Sequence, residues 1–271
     1  MEQNLSKKTR TESDLIGSRE VPESALYGVQ TLRGIENFRI SKFHLNEYPL
    51  FIQALAITKM GAAVANRELD LLTEEQADAI LKACKEILEG KHHDQFPVDM
   101  IQGGAGTTTN MNANEVIANR ALELMGHQRG EYQYCSPNDH VNRSQSTNDA
   151  YPTAIHIGLY YTHLKLVKHF EVLIESFRKK ATEFAHVIKM GRTQLEDAVP
   201  MTLGQTFNGF ASILRHEVKN LDFAAQDFLT VNMGATAIGT GITAEPEYAE
   251  KCIAALRKIT GLDIKLADEL V

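Results

Sequence analysis

Four stretches of this 271-residue chain are dense in glycine, serine, threonine, asparagine and glutamine. They are Gln102–Asn110 (QGGAGTTTN), Asn138–Asp149 (NDHVNRSQSTND), Lys189–Asp197 (KMGRTQLED) and Asn232–Thr243 (NMGATAIGTGIT). Glycine lets the backbone approach a ligand closely, and hydroxyl and amide side chains donate hydrogen bonds without carrying charge. Three of the stretches precede or join predicted helices, whose N-termini add donors suited to an anion. Turns and caps use the same residues, so composition alone leads no further than a small anionic ligand. Other chemistries lack their motifs. The GGAG at Gly103–Gly106 is not followed by the GK[ST] of a P-loop, and there is no GxSxG or HExxH. No GxGxxG opens a helix after a strand. His92-His93 lacks the spacing of metal ligands, and no metal site is assigned. His140 and His156 read as structural.

The elements that must position these stretches are mostly helical. Thr73 opens one helix with Gln76 as its capping-box partner, and Gly90 follows its last turn. Asn114–Leu124 reads as another, ended by Gly126. A long helix runs from near Asn148-Asp149, with Pro152 in its first turn, to about Ala185. Its apolar positions Ile155, Leu159, Leu166, Phe170, Leu173, Phe177 and Phe184 form a near-heptad stripe. A second long helix runs from about Leu203 to Thr230, and the connection allows the two to pack antiparallel. A shorter helix begins at Pro246 and stops before Gly261. Strand signals are few, with local pairing expected around Phe38-Arg39-Ile40. The fold class is therefore mainly α. A soft boundary near Val141 divides a small mixed domain, 1–141, from the long helices of 142–271. Two such helices leave apolar surface for further helices or other subunits to cover.

Composition narrows the partners. The net charge of −7 argues against nucleic acid. No apolar run approaches the roughly 18 residues of a spanning helix, and Met1–Ser24 shows no secretory signal. Cys84, Cys135 and Cys252 lie far apart without a CxxC pair, as expected of reduced thiols in a cytoplasmic protein.

The chain resembles the aspartase/fumarase superfamily and, within it, the aspartate ammonia-lyases. The resemblance is carried by GTTTNMNANEVIANRALEL (Gly106–Leu124), QSTNDAYPT (Gln145–Thr153), GRTQLEDAVPMTLGQ (Gly191–Gln205) and NMGATAIGTG (Asn232–Gly241). LYGVQTLR (Leu26–Arg33) extends it over nearly the whole chain. Fumarases typically read GTQSNMN, SSNDTFPT and GRTHLQDA at three of these places. Thr108-Thr109, Thr147 and Ala150-Tyr151 look more like aspartases. Gln194 stands where fumarases and some aspartases have a histidine. Ser136 takes the place of a histidine that forms an accessory anion site in fumarases.

The resemblance implies a small N-terminal domain followed by part of a long central helical bundle. It also implies elimination of ammonia from L-aspartate to give fumarate through an aci-carboxylate intermediate, with no cofactor required and metal activation left open. Thr107, Ser146, Thr147 and Thr193 then correspond to hydroxyl donors around the substrate carboxylates. Asn148 corresponds to an amide contact, while Asn110 and Gln194 line the same pocket. The family's general base is a serine on a C-terminal GSSxMPxKxN loop, which does not occur within 1–271. Chains of this family form homotetramers with three subunits lining each site, so this chain reads as an N-terminal fragment, inactive alone. A fumarate hydratase on the same scaffold, or a non-catalytic assembly module, is the alternative.

Overall fold

A computed structural model describes residues 8–271. Residues 1–7, part of the stretch read above as carrying no secretory signal, lie outside the described residues. The chain forms two compact units: the chain up to Gly158 together with Leu229–Val271, and Leu159–Phe228. The chain after Leu229 returns to the first unit.

The first unit opens with an antiparallel hairpin, β1 (Thr9–Asp14) and β2 (Gly17–Pro22), and continues through helix α1 (Val29–Asn37). Helix α2 (Pro49–Glu68) starts with proline, which gives up only an N–H that has no helical partner. It is buried on nearly every side, from Ile52 to Asn66, as a helix that is apolar all round must be. Helix α3 (Glu74–Leu88) packs against it. Thr73 Oγ1 accepts from Gln76 N and Gln76 Oε1 from Thr73 N, both at 3.2 Å, the capping box read from the sequence. Gly90, at φ +87°, ends it as expected. Helix α4 (Thr107–Leu124) packs on α3, and helix α7 (Tyr248–Thr260) on α2. Ile52, Leu55, Ile80, Ile87, Ile117, Leu122 and Leu256 fill the core between these helices. Strand β5 (Thr230–Val231) pairs in parallel with β6 (Lys265–Leu266).

The second unit holds most of helix α5 (Thr147–Glu183), the hairpin β3 (Ile188–Thr193) with β4 (Glu196–Thr202), and helix α6 (Leu203–Ala225). Contacts run in opposite order along the two helices. Phe184 stacks on Phe207 at 5.9 Å, Phe177 meets Phe210 at 5.6 Å, and His163 Nε2 bonds Asp222 Oδ1 at 2.9 Å. The helices are therefore antiparallel, as expected. The apolar stripe of α5 is wider than this contact. Leu159, Leu166 and Leu173 on its open edge remain more than 40% exposed, and Ile213 and Phe223 of α6 are exposed as well. The apolar surface expected to await a cover is present.

Several elements differ from the expectation. Phe38–Ile40 forms no strand, because Asp99 Oδ2 accepts from Ile40 N and Ser41 N at 2.8 and 2.7 Å in place of a neighbouring strand. Helix α4 starts at Thr107 rather than Asn114, and α6 gives way to a 3-10 turn at Gln226. Helix α7 begins at Tyr248, so Pro246 precedes it instead of lying in its first turn. Pro152 lies inside α5. A proline has no N–H for the carbonyl four residues back, and Asn148 O accepts from Asn232 Nδ2 at 3.1 Å instead. Among the described residues no helix is long and apolar enough to cross a membrane.

Candidate functional site

The QGGAGTTTN stretch is half loop and half helix. Gly104, Ala105 and Gly106 all have positive φ, which turns the chain sharply into α4. Gln102 caps the new helix: its Oε1 accepts from Thr109 N at 2.9 Å and its Nε2 donates to Thr109 Oγ1 at 2.9 Å. Thr107 is exposed at the first position, its hydroxyl donating to Gly104 O at 2.6 Å. Gly106 has φ +91°, and a Cβ there would lie 2.5 Å from three ring atoms of Tyr151. Only glycine brings the start of α4 against the first turns of α5.

The start of α5 is fixed by its own cap and by the Asn232–Thr243 stretch. Ser146 Oγ accepts from Asn148 N at 3.2 Å, and Asp149 Oδ1 accepts from Ser146 N at 2.9 Å. The other oxygen of buried Asp149 accepts from Gly234 N at 3.1 Å and Thr236 N at 2.9 Å. Asn148 Nδ2 donates to Ala237 O at 2.6 Å. The amide expected to contact substrate thus holds the neighbouring loop in this structure. Burial raises the Asp149 carboxyl above its usual range, while its backbone donors and Lys59 oppose that rise.

Beneath the two helix starts lies Lys59 of α2, 1% exposed. Its ammonium donates to Asn110 Oδ1 at 2.7 Å, Asn142 Oδ1 at 2.9 Å and Gln145 Oε1 at 2.8 Å. Asn110 Nδ2 in turn donates to Thr147 Oγ1 and Asn142 Oδ1, each at 3.1 Å. Burial pushes the Lys59 ammonium down to about 7, opposed chiefly by the negative charge of Asp149. The three amide oxygens also favour the charged form.

Of the residues singled out from the sequence, Thr107, Asn110, Ser146, Thr147 and Asn148 lie in the first unit at these two helix starts. Thr193 and Gln194 belong to the second unit, both exposed, at the end of β3 and in its turn. Gln194 and Leu195 have φ of 49° and 69°, an arrangement that matches the twist of a two-residue hairpin. The KMGRTQLED stretch is therefore a hairpin. Lys59, Asn142, Gln145 and Asp149 were not singled out. A lone lysine in PLFIQALAITKMGAAVANRE was the available signal, since a charge at the centre of an all-apolar helix is buried only with partners.

Two helix N-termini, uncharged hydroxyls and a buried cation favour an anion. His92 and His93 are engaged locally, with Glu86 at 3.0 Å and Ile87 O at 2.8 Å. His140 Nδ1 accepts from Ser136 N at 2.7 Å, and burial lowers its pKa. A cavity of about 1090 Å³ elsewhere in the first unit is lined by Arg10, Glu23, Asp94, Glu123 and Arg129. The Arg10 guanidinium there is already committed to the carbonyls of Pro22, Ala25 and Tyr27.

A mainly helical architecture in which two helix starts meet over a buried lysine defines a class, and the comparisons say which. The family model described as "Lyase" matches residues 17–271, and the chain belongs to that family. Its relatives include the aspartate ammonia-lyase of Escherichia coli (strain K12), 53% identical over 268 residues, covering 98% of this chain and 56% of that protein. The aspartate ammonia-lyase of Pseudomonas fluorescens is 54% identical, covering 97% of this chain and 55% of that one. A solved fumarate lyase:delta crystallin from Brucella melitensis, bound to cobalt, superposes with a TM-score of 0.95 at 50% identity, covering 97% and 57% of the two chains. A class II fumarase from Schistosoma mansoni does so with a TM-score of 0.88 at 34% identity, covering 97% and 58%. The chain spans little more than half the length of the curated relatives it matches. The mainly α, aspartase/fumarase-like fold expected from the sequence is the one found.

Proposed function

We propose that this chain forms part of an aspartate ammonia-lyase that releases ammonia from L-aspartate to give fumarate. The observation that carries the reading is the meeting of the α4 and α5 N-termini, with Thr107, Ser146 and Thr147, above the buried Lys59 ammonium. In the reaction a base removes a proton from the carbon beside the β-carboxylate, whose oxygens take up the charge as an aci-carboxylate. The carbon–nitrogen bond then breaks, the electron pair leaves with nitrogen, and a double bond remains. Donors aimed at the developing charge lower that barrier, and uncharged hydroxyls do so without titrating. Thr107, Ser146, Thr147, Asn148, Thr193 and Gln194 are the substrate-facing groups in this reading, and Asn110 shapes the same pocket. The base itself belongs to a serine loop outside 1–271, and no cofactor is needed.

The whole protein is proposed to be a cytoplasmic homotetramer. Leu159, Leu166 and Leu173 supply the apolar edge for assembly, and the free, buried cysteines suit a reducing compartment. In it, 1–141 form the N-terminal domain and 142–271 the first part of the central bundle.

The test is fumarate formation, followed by ultraviolet absorbance, with the full-length protein offered L-aspartate or L-malate separately. Fumarate from aspartate alone is expected. Turnover of malate alone would assign the protein to the fumarases, and turnover of neither would remove the proposed substrate. Thr147→Val should lower kcat by about 10²–10³-fold, the usual effect of deleting one such donor.

A further inference from the structure

We propose that Lys59 is a positioning residue that acts through Asn110 to make Thr147 an outward hydrogen-bond donor to an anionic ligand. The inference rests on the preceding reading that Thr147 faces a substrate carboxylate. An ammonium has three donors and no acceptor. Lys59 uses all three on the amide oxygens of Asn110, Asn142 and Gln145, at 2.7, 2.9 and 2.8 Å. Each amide is thereby locked with its oxygen toward Lys59 and its nitrogen away.

The nitrogens meet acceptors accordingly. Gln145 Nε2 donates to Val141 O at 2.9 Å and Arg143 O at 3.1 Å. Asn110 Nδ2 faces Thr147 Oγ1 at 3.1 Å. A hydroxyl oxygen that accepts from Asn110 keeps its own proton for another partner. Among the described residues Thr147 Oγ1 has no acceptor, and its side chain is only half-buried. Its proton is left for a ligand. No carboxylate bonds the Lys59 ammonium directly, so its charge polarises the chain of hydrogen bonds toward the site. Without the ammonium, Asn110 is free to turn its oxygen toward Thr147. The threonine would then spend its proton inward.

The test is a double-mutant cycle in the full-length protein: wild type, Lys59→Met, Thr147→Val and the double variant. Circular dichroism and sedimentation check fold and assembly. Each protein is read by kcat on L-aspartate and by the Kd of succinate, an unreactive dicarboxylate. Lys59→Met is expected to cost on the order of 10²-fold in kcat, as for a lost transition-state donor. In the Thr147→Val background the same change should cost less than about threefold, because coupled sites are not additive. Lys59→Gln, whose amide still donates to Asn110, should recover part of the loss. Equal losses in both backgrounds, or a folded Lys59→Met with wild-type kcat, would overturn the relay.

If Lys59→Met does not fold, Asn110→Asp replaces it. That variant keeps an acceptor for Lys59 but has no donor for Thr147, and full activity in it would equally overturn the relay. The two proposals fail separately. A coupled cycle in succinate affinity without turnover of aspartate keeps the relay and removes the substrate. An additive cycle with turnover does the reverse, and a wild type that neither binds succinate nor turns over aspartate removes both.

Discussion

Replacing Gly106 with alanine tests whether the approach of the two helix starts depends on one missing methyl group. The magnitude has two parts. Gly106 sits at φ +91°, and placing an L side chain in the left-handed region costs roughly 1–2 kcal/mol. The added Cβ would also lie 2.5 Å from Cγ, Cδ1 and Cε1 of Tyr151. These are atoms of a ring, not the end of a flexible chain, and the ring packs edge-on against Phe51 at 5.8 Å. Overpacking of this kind costs about 1–3 kcal/mol, so Gly106→Ala should destabilise by roughly 2–5 kcal/mol. Chemical denaturation of the full-length protein measures the loss, and succinate titration measures the displacement of the α4 start as weakened binding. In a Tyr151→Ala background the steric part should vanish while the backbone part stays, leaving roughly 1–2 kcal/mol. The reasoning fails if Gly106→Ala costs under about 1 kcal/mol, or costs the same with and without the ring.

Three further outcomes are expected. The Lys59 ammonium, held near 7 when folded against 10.5 when free, gives the unfolded chain the extra proton between those values. Stability should therefore rise with pH above about 7, by at most ~1.4 kcal/mol per unit. Lys59→Met should flatten that slope in denaturation series at pH 7, 8 and 9, and parallel slopes would exclude the assignment. Glu86, bound by Arg120 at 2.6 and 2.8 Å and by His92, has its carboxyl lowered from 4.5 to about 2. Its contribution is complete above 4.5 and lost as pH falls toward 2. Discounted for partial exposure, it amounts to about 1–2 kcal/mol, and Glu86→Gln should remove that acid sensitivity in melts between pH 5 and 3. Finally, Leu166→Glu with Leu173→Glu places charges on the open edge of α5. Sedimentation should then show dissociated subunits, whereas an unchanged assembly would locate the interface elsewhere.

Much of the fold is local chemistry and was legible as such. The Thr73–Gln76 box, the Gly90 stop and the stripes of α5 and α6 depend on spacing and on backbone donors within a turn or two. The hairpin of β1 and β2 was not legible. Its strands are polar but for Val21 and Pro22 at the end of β2, while the apolar pair Leu15-Ile16 sits in the exposed turn, so the alternation that marks a strand is absent. The TTTN sequence read as loop because asparagine and threonine favour turns. It folds as helix because Gln102 caps its N-terminus and Lys59 and Asn142 bind the Asn110 amide.

The same division holds for the site. The motifs and their order pointed to the family, and that resemblance nominated the hydroxyls and amides of the candidate site. Tertiary structure decided which of them meet. Asn110 reaches Thr147 because α2 and the 142–145 segment converge on one buried ammonium. A buried charge requires partners wherever in the chain they come from, and no local pattern records that requirement.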